Sequence, residues 1–296
     1  MRFQRLLVPT DFGPAAERAL DVAVSLAKKF DGQLELLHAF HLPLAAYMLG
    51  RHLAPAPVEG ILKAERDAFD AATEAARARY PHVQATWVDG EPRAAILEHA
   101  RARGADAVIM GTRGRGALER ALFGSVAERV VRACAAPVLT TAAPLDGASG
   151  GELTTLSHVL VPSDFGEAAE EALAVGLGLA RAFSAKLTLL HVYDRPLAPY
   201  QEGAYWPIED LEEEAKRALE PVAAAANASY ARAGALLLRG DPRFAITEVA
   251  AGHAVDLIVM GTHQRRGLSR ALMGSVAERV VRTSRAPVLT VGAARE

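Results

Sequence analysis

Four glycines, an arginine and a serine carry the first chemical signal in this 296-residue chain. Gly111, Gly114 and Gly116 fall within six residues, Arg113 lies among them, and Gly124-Ser125 follows. The segment leaves a short aliphatic run, Ala107-Val108-Ile109-Met110, of the kind buried on both faces of a parallel sheet. It enters a helix whose Val126, Val130 and Val131 share one side. Glycine tolerates φ > 0 and lets a backbone approach a ligand with no Cβ in the way. A helix start offers free N–H groups and the positive end of a dipole. Strand, Gly-rich loop and helix start in succession therefore suit an anion, phosphate above all. A purely structural account stands beside this one. Ser125-x-x-Glu128 has the spacing of a capping box, and Gly111 can serve simply to turn the chain out of its strand.

Asp11 is the second candidate. It lies three residues after Val8, at the C-terminal end of the first strand, which in a parallel sheet is the ligand edge. A carboxylate there accepts hydrogen bonds from a ribose hydroxyl, or else it caps the helix that begins near Gly13-Pro14-Ala15. The fixed charge of Arg113 suits an anion, although an arginine on a loop is as readily solvated. His38 and His191 end the second strand of each half, where a histidine reads either as a packed, hydrogen-bonded side chain or as a ligand group. No His/Cys/Asp/Glu cluster has zinc spacing, and no Gly-x4-Gly-Lys-Ser/Thr loop, Gly-x-Ser-x-Gly elbow or carboxylate pair occurs. The runs Glu209–Glu214 and Arg77–Arg79 read as solvated helix faces. With no evident general base or nucleophile, the residues point to binding and not to turnover.

The elements that must position these residues occur twice. Asp106–Thr140 aligns without gaps to Asp256–Thr290 with 23 of 35 positions identical, and Gly90-Glu91-Pro92-Arg93 recurs as Gly240-Asp241-Pro242-Arg243. Val8-Pro9-Thr10-Asp11-Phe12-Gly13 recurs as Val161-Pro162-Ser163-Asp164-Phe165-Gly166, and Leu36-Leu37-His38 as Leu189-Leu190-His191. A repeat this long is a duplicated domain and not a solenoid unit. The glycines at 147, 150 and 151 mark a linker, which divides the chain into 1–143 and 157–296 with 144–156 between. In the first copy strands are expected at Arg5–Val8, Gln33–Ala39, Val83–Val88, Ala107–Met110 and Pro137–Thr141. Helices are expected at Ala15–Phe30, Ile61–Tyr80, Pro92–Arg103 and Val126–Ala133. Strict βα alternation implies a doubly wound parallel α/β sheet with helices on both faces, and ligands at the strand C-termini.

Composition adds exclusions. A hydrophobic fraction of 51% with 23% charged residues is that of an ordinary globular protein, and a net charge of −2 gives no reason to expect nucleic acid or an anionic membrane as partner. The single Cys134, matched by Ser284, rules out an internal disulfide and makes a catalytic thiol improbable. With no long apolar stretch near Met1, the expected location is the cytoplasm.

The spacing Gly-x2-Gly-x9-Gly-Ser of Gly111, Gly114, Gly124 and Ser125 resembles the nucleotide-binding motif of the universal stress protein family. The resemblance covers both halves, and it implies two tandem five-stranded, Rossmann-like sheets in the order 3-2-1-4-5. It also implies an adenine nucleotide, ATP, as ligand, for which Mg²⁺ is the usual companion. By position, the Pro9-Thr10 backbone would line the adenine pocket, Ala39 and Met110 would touch the base, and Asp11 would contact the nucleotide. Gly111, Arg113, Gly114, Gly124, Ser125 and Val126 would run along phosphates and ribose. In the second copy the matching residues are Pro162, Ser163, Asp164, Val192, Met260, Gly261, His263, Gly274, Ser275 and Val276. That copy departs from the pattern at Gln264, which stands where the first has Gly114, and at Arg266, which stands where it has Gly116.

Two functional classes are compatible with these residues: a stress-response sensor or regulator that binds ATP without efficient turnover, or a structural or signalling module whose pockets are vestigial. An ATP-consuming enzyme is the least supported. The loop Tyr193–Pro207, with Tyr200, Tyr205 and Trp206, reads as a lid or an interface. The closing strands, Val138–Thr140 and Val288–Thr290, lie on sheet edges in the family order. They are expected to pair antiparallel with each other, giving an internal pseudo-dimer, with further association of chains left to another surface.

Overall fold

The computed structural model describes residues 3–41, 56–112, 124–142, 156–194, 208–262 and 273–292. It falls into two compact units, Arg2–Thr154 and Thr155–Glu296. The first contains β1 (Arg5–Pro9), α1 (Pro14–Phe30), β2 (Gln33–Phe40), α2 (Ala56–Arg79), β3 (Val83–Asp89), α3 (Pro92–Ala102), β4 (Ala107–Gly111), α4 (Ser125–Ala133) and β5 (Val138–Thr141). Its strands pair in parallel, with β1 between β2 and β4, β3 outside β2 and β5 beside β4. The second contains β6 (His158–Pro162), α5 (Glu167–Phe183), β7 (Lys186–Tyr193), α6 (Ile208–Ser229), β8 (Ala233–Arg239), α7 (Pro242–Gly252), β9 (Leu257–Gly261), α8 (Ser275–Thr283) and β10 (Val288–Val291). Again the pairs are parallel, with β6 between β7 and β9, β8 outside β7 and β10 beside β9. Each unit thus has the order 3-2-1-4-5 in its own strand count.

The elements form where apolar runs and helical spacing place them. In β1 the run Leu6-Leu7-Val8 is buried, as a strand covered on both faces must be. In α1 the fully buried Ala19, Ala23 and Ala27 form one stripe, and their small side chains bring the helix close to β1 and β4. Helix α2 begins at Ala56, earlier than its apolar pattern indicates, because Pro57 is tolerated in a first turn whose N–H needs no helical partner. Tyr193 belongs to strand β7 and its hydroxyl donates to Glu212 at 3.2 Å, while residues 195–207 of the expected lid lie outside the described residues.

The opposite sheet edge is tied by one device used twice. The Asp106 carboxylate accepts from the backbone N–H of Gln4 and Arg5, both at 2.9 Å. Asp256 accepts from Ser157 and His158 at 2.8 and 2.9 Å. The copies differ in the side chain of the second residue so held. Arg5 is exposed and reaches Asp106 at 3.9 Å, whereas His158 is buried. Its Nδ1 lies 3.1 Å from the carbonyl of His253 and its Nε2 lies 2.8 Å from the Thr188 hydroxyl. Burial lowers the His158 pKa below the usual imidazole value, partly offset by the hydrogen bond to that carbonyl. Among the described residues no helix is long and apolar enough to cross a membrane.

Candidate functional site

The site grows from the reversal of strand order. From β1 the chain crosses to β2 on one side and returns through β4 on the other, so the C-terminal ends of β1 and β4 flank an open crevice. Pro9 ends β1 and Gly111 ends β4. The backbone N–H of Thr10 donates to the Leu37 carbonyl at 2.9 Å, and the Thr10 carbonyl accepts from Nδ1 of His38 at 2.8 Å. Both backbone groups of Thr10 are therefore fastened to β2. The Thr10 hydroxyl then accepts from Phe12 N at 3.0 Å and the Asp11 carboxylate from Gly13 N at 3.1 Å. The second copy repeats these contacts. His191 Nδ1 is 2.9 Å from the Ser163 carbonyl, Ser163 Oγ accepts from Phe165 at 3.1 Å, and Asp164 accepts from Gly166 at 3.1 Å.

These turns hold an unusual backbone. Phe12 and Phe165 both sit at φ 62°, in the left-handed region that costs a residue with a Cβ about 1–2 kcal/mol. Each ring lies against the histidine of the next strand, with centroids 4.5 Å apart for Phe12 and His38 and 4.4 Å for Phe165 and His191. Of the two readings of these histidines, the geometry bears out the packed, hydrogen-bonded side chain. Asp11 is not the N-cap of α1; that position is Gly13, and the carboxylate binds the turn before the helix.

The other wall is the start of α4 or α8. The capping box expected from Ser125 and Glu128 does not form. Gly124 is the N-cap, with extended backbone and no side-chain bond, so Ser125 falls one residue too late to cap. Glu128 pairs instead with Arg132 at 3.1 Å. Gly274 and Ser275 have the same arrangement, and Glu278 reaches Arg282 at 3.5 Å. Both helix starts thus lack a side-chain cap. The N–H of Gly124 donates to the Thr112 carbonyl at 2.6 Å, bringing the two ends of the Gly-rich segment together. Arg113, Gly114 and Gly116, with His263, Gln264 and Arg266, lie outside the described residues.

Packing also demands a glycine at Gly111. A Cβ there would lie 2.8 Å from the backbone carbon of Ala15 and 2.9 Å from the nitrogen of Ala16. At Gly261 it would lie 2.6 Å from the backbone carbon of Ala168. The space a Cβ would take at each glycine is filled by the first turn of α1 or α5.

In the second unit these walls enclose a cavity of about 330 Å³. Pro162, Ser163 and Asp164 line it from the end of β6, with Val192 from β7 and Met260 and Gly261 from β9. Gly274, Ser275 and Val276 line it from the start of α8. All the second-copy residues expected at the site that are described line this cavity, and His263 lies outside the described residues. The sequence pattern did not single out Pro242 and Ile246, which close the cavity from α7. The recurrence of Gly-Glu/Asp-Pro-Arg in both halves was the available signal for that helix start. The first unit holds the counterparts in the same places: Pro9, Thr10 and Asp11 after β1, Ala39 in β2 opposite Val88, Met110 and Gly111 ending β4, and Ser125 and Val126 opening α4.

Fold and site define a doubly wound α/β unit, present twice, with a crevice where the strand order reverses. The model of the universal stress protein family matches residues 2–141 and again 155–292, and the chain belongs to that family. A universal stress protein of Methanocaldococcus jannaschii is 35% identical over 138 residues, which is 45% of this chain and 80% of the relative. One of Mycolicibacterium smegmatis is 25% identical over 291 residues, covering 97% of this chain and 96% of its own length. Among solved structures, a universal stress protein from Archaeoglobus fulgidus covers 99% of this chain and all of its own, with a TM-score of 0.73 at 18% identity, a likeness of fold.

Proposed function

We propose that each half binds an adenine nucleotide, ATP, in the crevice between the Asp11 or Asp164 turn and the start of α4 or α8, without efficient turnover. The cavity of about 330 Å³ in the second unit carries this reading. Its size falls in the range of small-molecule sites, and it joins apolar walls to a few convergent polar groups. Leu190, Val192, Ile246 and Met260 suit the faces of a base. Asp164 suits ribose hydroxyls, and the uncapped start of α8 suits phosphate. The motif spacing Gly111, Gly114, Gly124 and Ser125, with Arg113 among them, supports the same ligand in the first half. Mg²⁺ is proposed as the companion of the triphosphate, and the protein is read as a cytoplasmic stress-response sensor. Calorimetry with ATP is expected to show saturable binding that weakens in the pair Asp11→Ala and Asp164→Ala. Absence of binding up to roughly millimolar ATP, a weak limit for such sites, would remove the proposal.

One observation favours the second class for the second half: Gln264 replaces the Gly114 of the motif. A pocket there that holds another small molecule, or none, would make that half a structural or signalling module. Absorbance of the purified protein for co-purified nucleotide separates the two readings. The antiparallel pairing of the closing strands is proposed on the sequence argument alone. Cysteines at Thr140 and Thr290 are expected to form a disulfide within one chain, and linkage only between chains would point to exchanged partners.

A further inference from the structure

The phenylalanine of each turn holds a left-handed backbone that costs any residue with a Cβ. Phe12 and Phe165 are only partly buried, and a glycine would adopt φ 62° freely. Backbone strain persists only where the surroundings over-determine it, and here the same hydrogen bonds and ring contact recur in both copies. The histidine at the end of the next strand donates from Nδ1 to the carbonyl two residues before the phenylalanine, and its ring stacks on the phenyl ring. The side chains of residues 10 and 11, or 163 and 164, then take the N–H groups of the next two residues along the turn. Turning φ of Phe165 negative would swing the Gly166 N–H away from the Asp164 carboxylate. The strain is therefore what brings the Asp164 carboxylate back across the turn at the cavity wall, and the histidine is what holds the strain.

We propose that His38 and His191 are positioning residues. Each latches the strained Asp-Phe-Gly turn to the second strand and so fixes the carboxylate that faces the ligand. This rests on the nucleotide reading for its effect on affinity, while the latch itself is tested without ligand. His191 lines the cavity, so its ring also forms part of the surface it organises. The donor role fixes the proton on Nδ1, and the same bond is available whether or not Nε2 is protonated. Glu65, 3.6 Å from His38 Nε2, has Ala215 as its counterpart, so the latch does not depend on that carboxylate.

The test uses the full chain with both histidines changed together. His38→Phe with His191→Phe keeps a ring for stacking and removes the donor. His38→Asn with His191→Asn keeps a donor, since the amide nitrogen takes the topological place of Nδ1. Two quantities are read: hydrogen exchange at the N–H groups of Phe12, Gly13, Phe165 and Gly166, and ATP affinity by calorimetry. In the phenylalanine pair these four amides are expected to exchange faster and ATP to bind about tenfold more weakly, the effect of losing one hydrogen bond. The thermal midpoint of the unliganded protein should stay close to that of the wild type. The asparagine pair should restore both quantities in part. Unchanged exchange in the phenylalanine pair overturns the latch. Faster exchange with unchanged affinity overturns the positioning role, and a midpoint falling in step with affinity marks the histidines as merely structural. If the wild type binds no ATP, the nucleotide reading fails and the exchange rates alone decide whether the histidine holds the turn.

Discussion

The two halves share the wall of the crevice and differ behind it. Sixteen residues line the second-half cavity, and fourteen of their counterparts in the first half are the same residue. The two exceptions are Thr10 for Ser163 and Ala39 for Val192. One layer back the resemblance stops. In the first half His38 meets Trp87 at 4.8 Å, Phe69 packs edge-on against Trp87 at 5.6 Å, and Arg66 lies 4.3 Å over the indole. The counterparts of Phe69, Trp87 and Glu65 are Leu219, Leu237 and Ala215. A packed layer needs volume and apolarity, which different side chains supply equally well. A wall that must present a carboxylate, a donor histidine and a helix-packed glycine has no such freedom. The comparison therefore separates residues set by the crevice from residues set by the core.

The largest expected effect tests whether the glycines belong to the wall or to the packing. Gly111→Val or Gly261→Val drives a side chain into helix backbone that cannot yield cheaply. Overpacking of this kind costs about 1–3 kcal/mol or more. Chemical denaturation should show the altered half unfolding first while the other half keeps its transition. Next comes the carboxylate. Asp164→Asn should weaken ATP about tenfold or more at one site of two, the effect of losing a charged hydrogen-bond acceptor. Calorimetry should then show two unequal sites where the wild type shows two similar ones. Exchanging Ala39 and Val192 sharpens the comparison further. If these residues touch the base, Ala39→Val and Val192→Ala should shift affinity in opposite directions by about tenfold or less. Equal shifts in both would show that neither residue meets the ligand.

The smallest effect lies at the far edge of the sheet. His158 is held neutral by burial, so its pKa is lower in the folded state than in the unfolded chain. The unfolded chain therefore takes up the proton first as pH falls below the ordinary value of 6.5, and the second half loses stability there. That contribution is fully present above 6.5. The groups facing the ring are Lys186, His253 and Asp256. His158→Gln should flatten the pH slope of the second transition. The first half, with Arg5 in that place, should lack this slope.

Much of this was legible in the sequence, and the failures have physical causes. Because burial imposes those periods, the alternation of aliphatic runs with helical spacing located the strands and helices of the first half to within a few residues, except that α2 starts at Ala56. The repeat showed that every site would occur twice. Ser125 was misread as a cap because a shift of one residue in the helix start turns a cap into a first-turn residue, and nothing in Gly124-Ser125 distinguishes them. The packing demand at Gly111 left no separate signal, because a missing Cβ looks the same whether a ligand or a helix fills the space. The φ of Phe12 left no trace at all, since the bond that holds it comes from His38 on another strand. Periodicity reports local environment and says little about contacts between distant segments.

The aromatic layer behind the first crevice gives that half an optical identity. The chain has two tryptophans, and Trp87 pairs with His38 across β2 and β3 while Leu237 takes its place opposite His191. An indole beside an imidazole and under a guanidinium emits according to the charge and distance of both neighbours. Fluorescence from Trp87 therefore tracks events at the first crevice and not at the second. In a Trp206→Phe background a single emission band would read out one half of a nearly symmetric molecule.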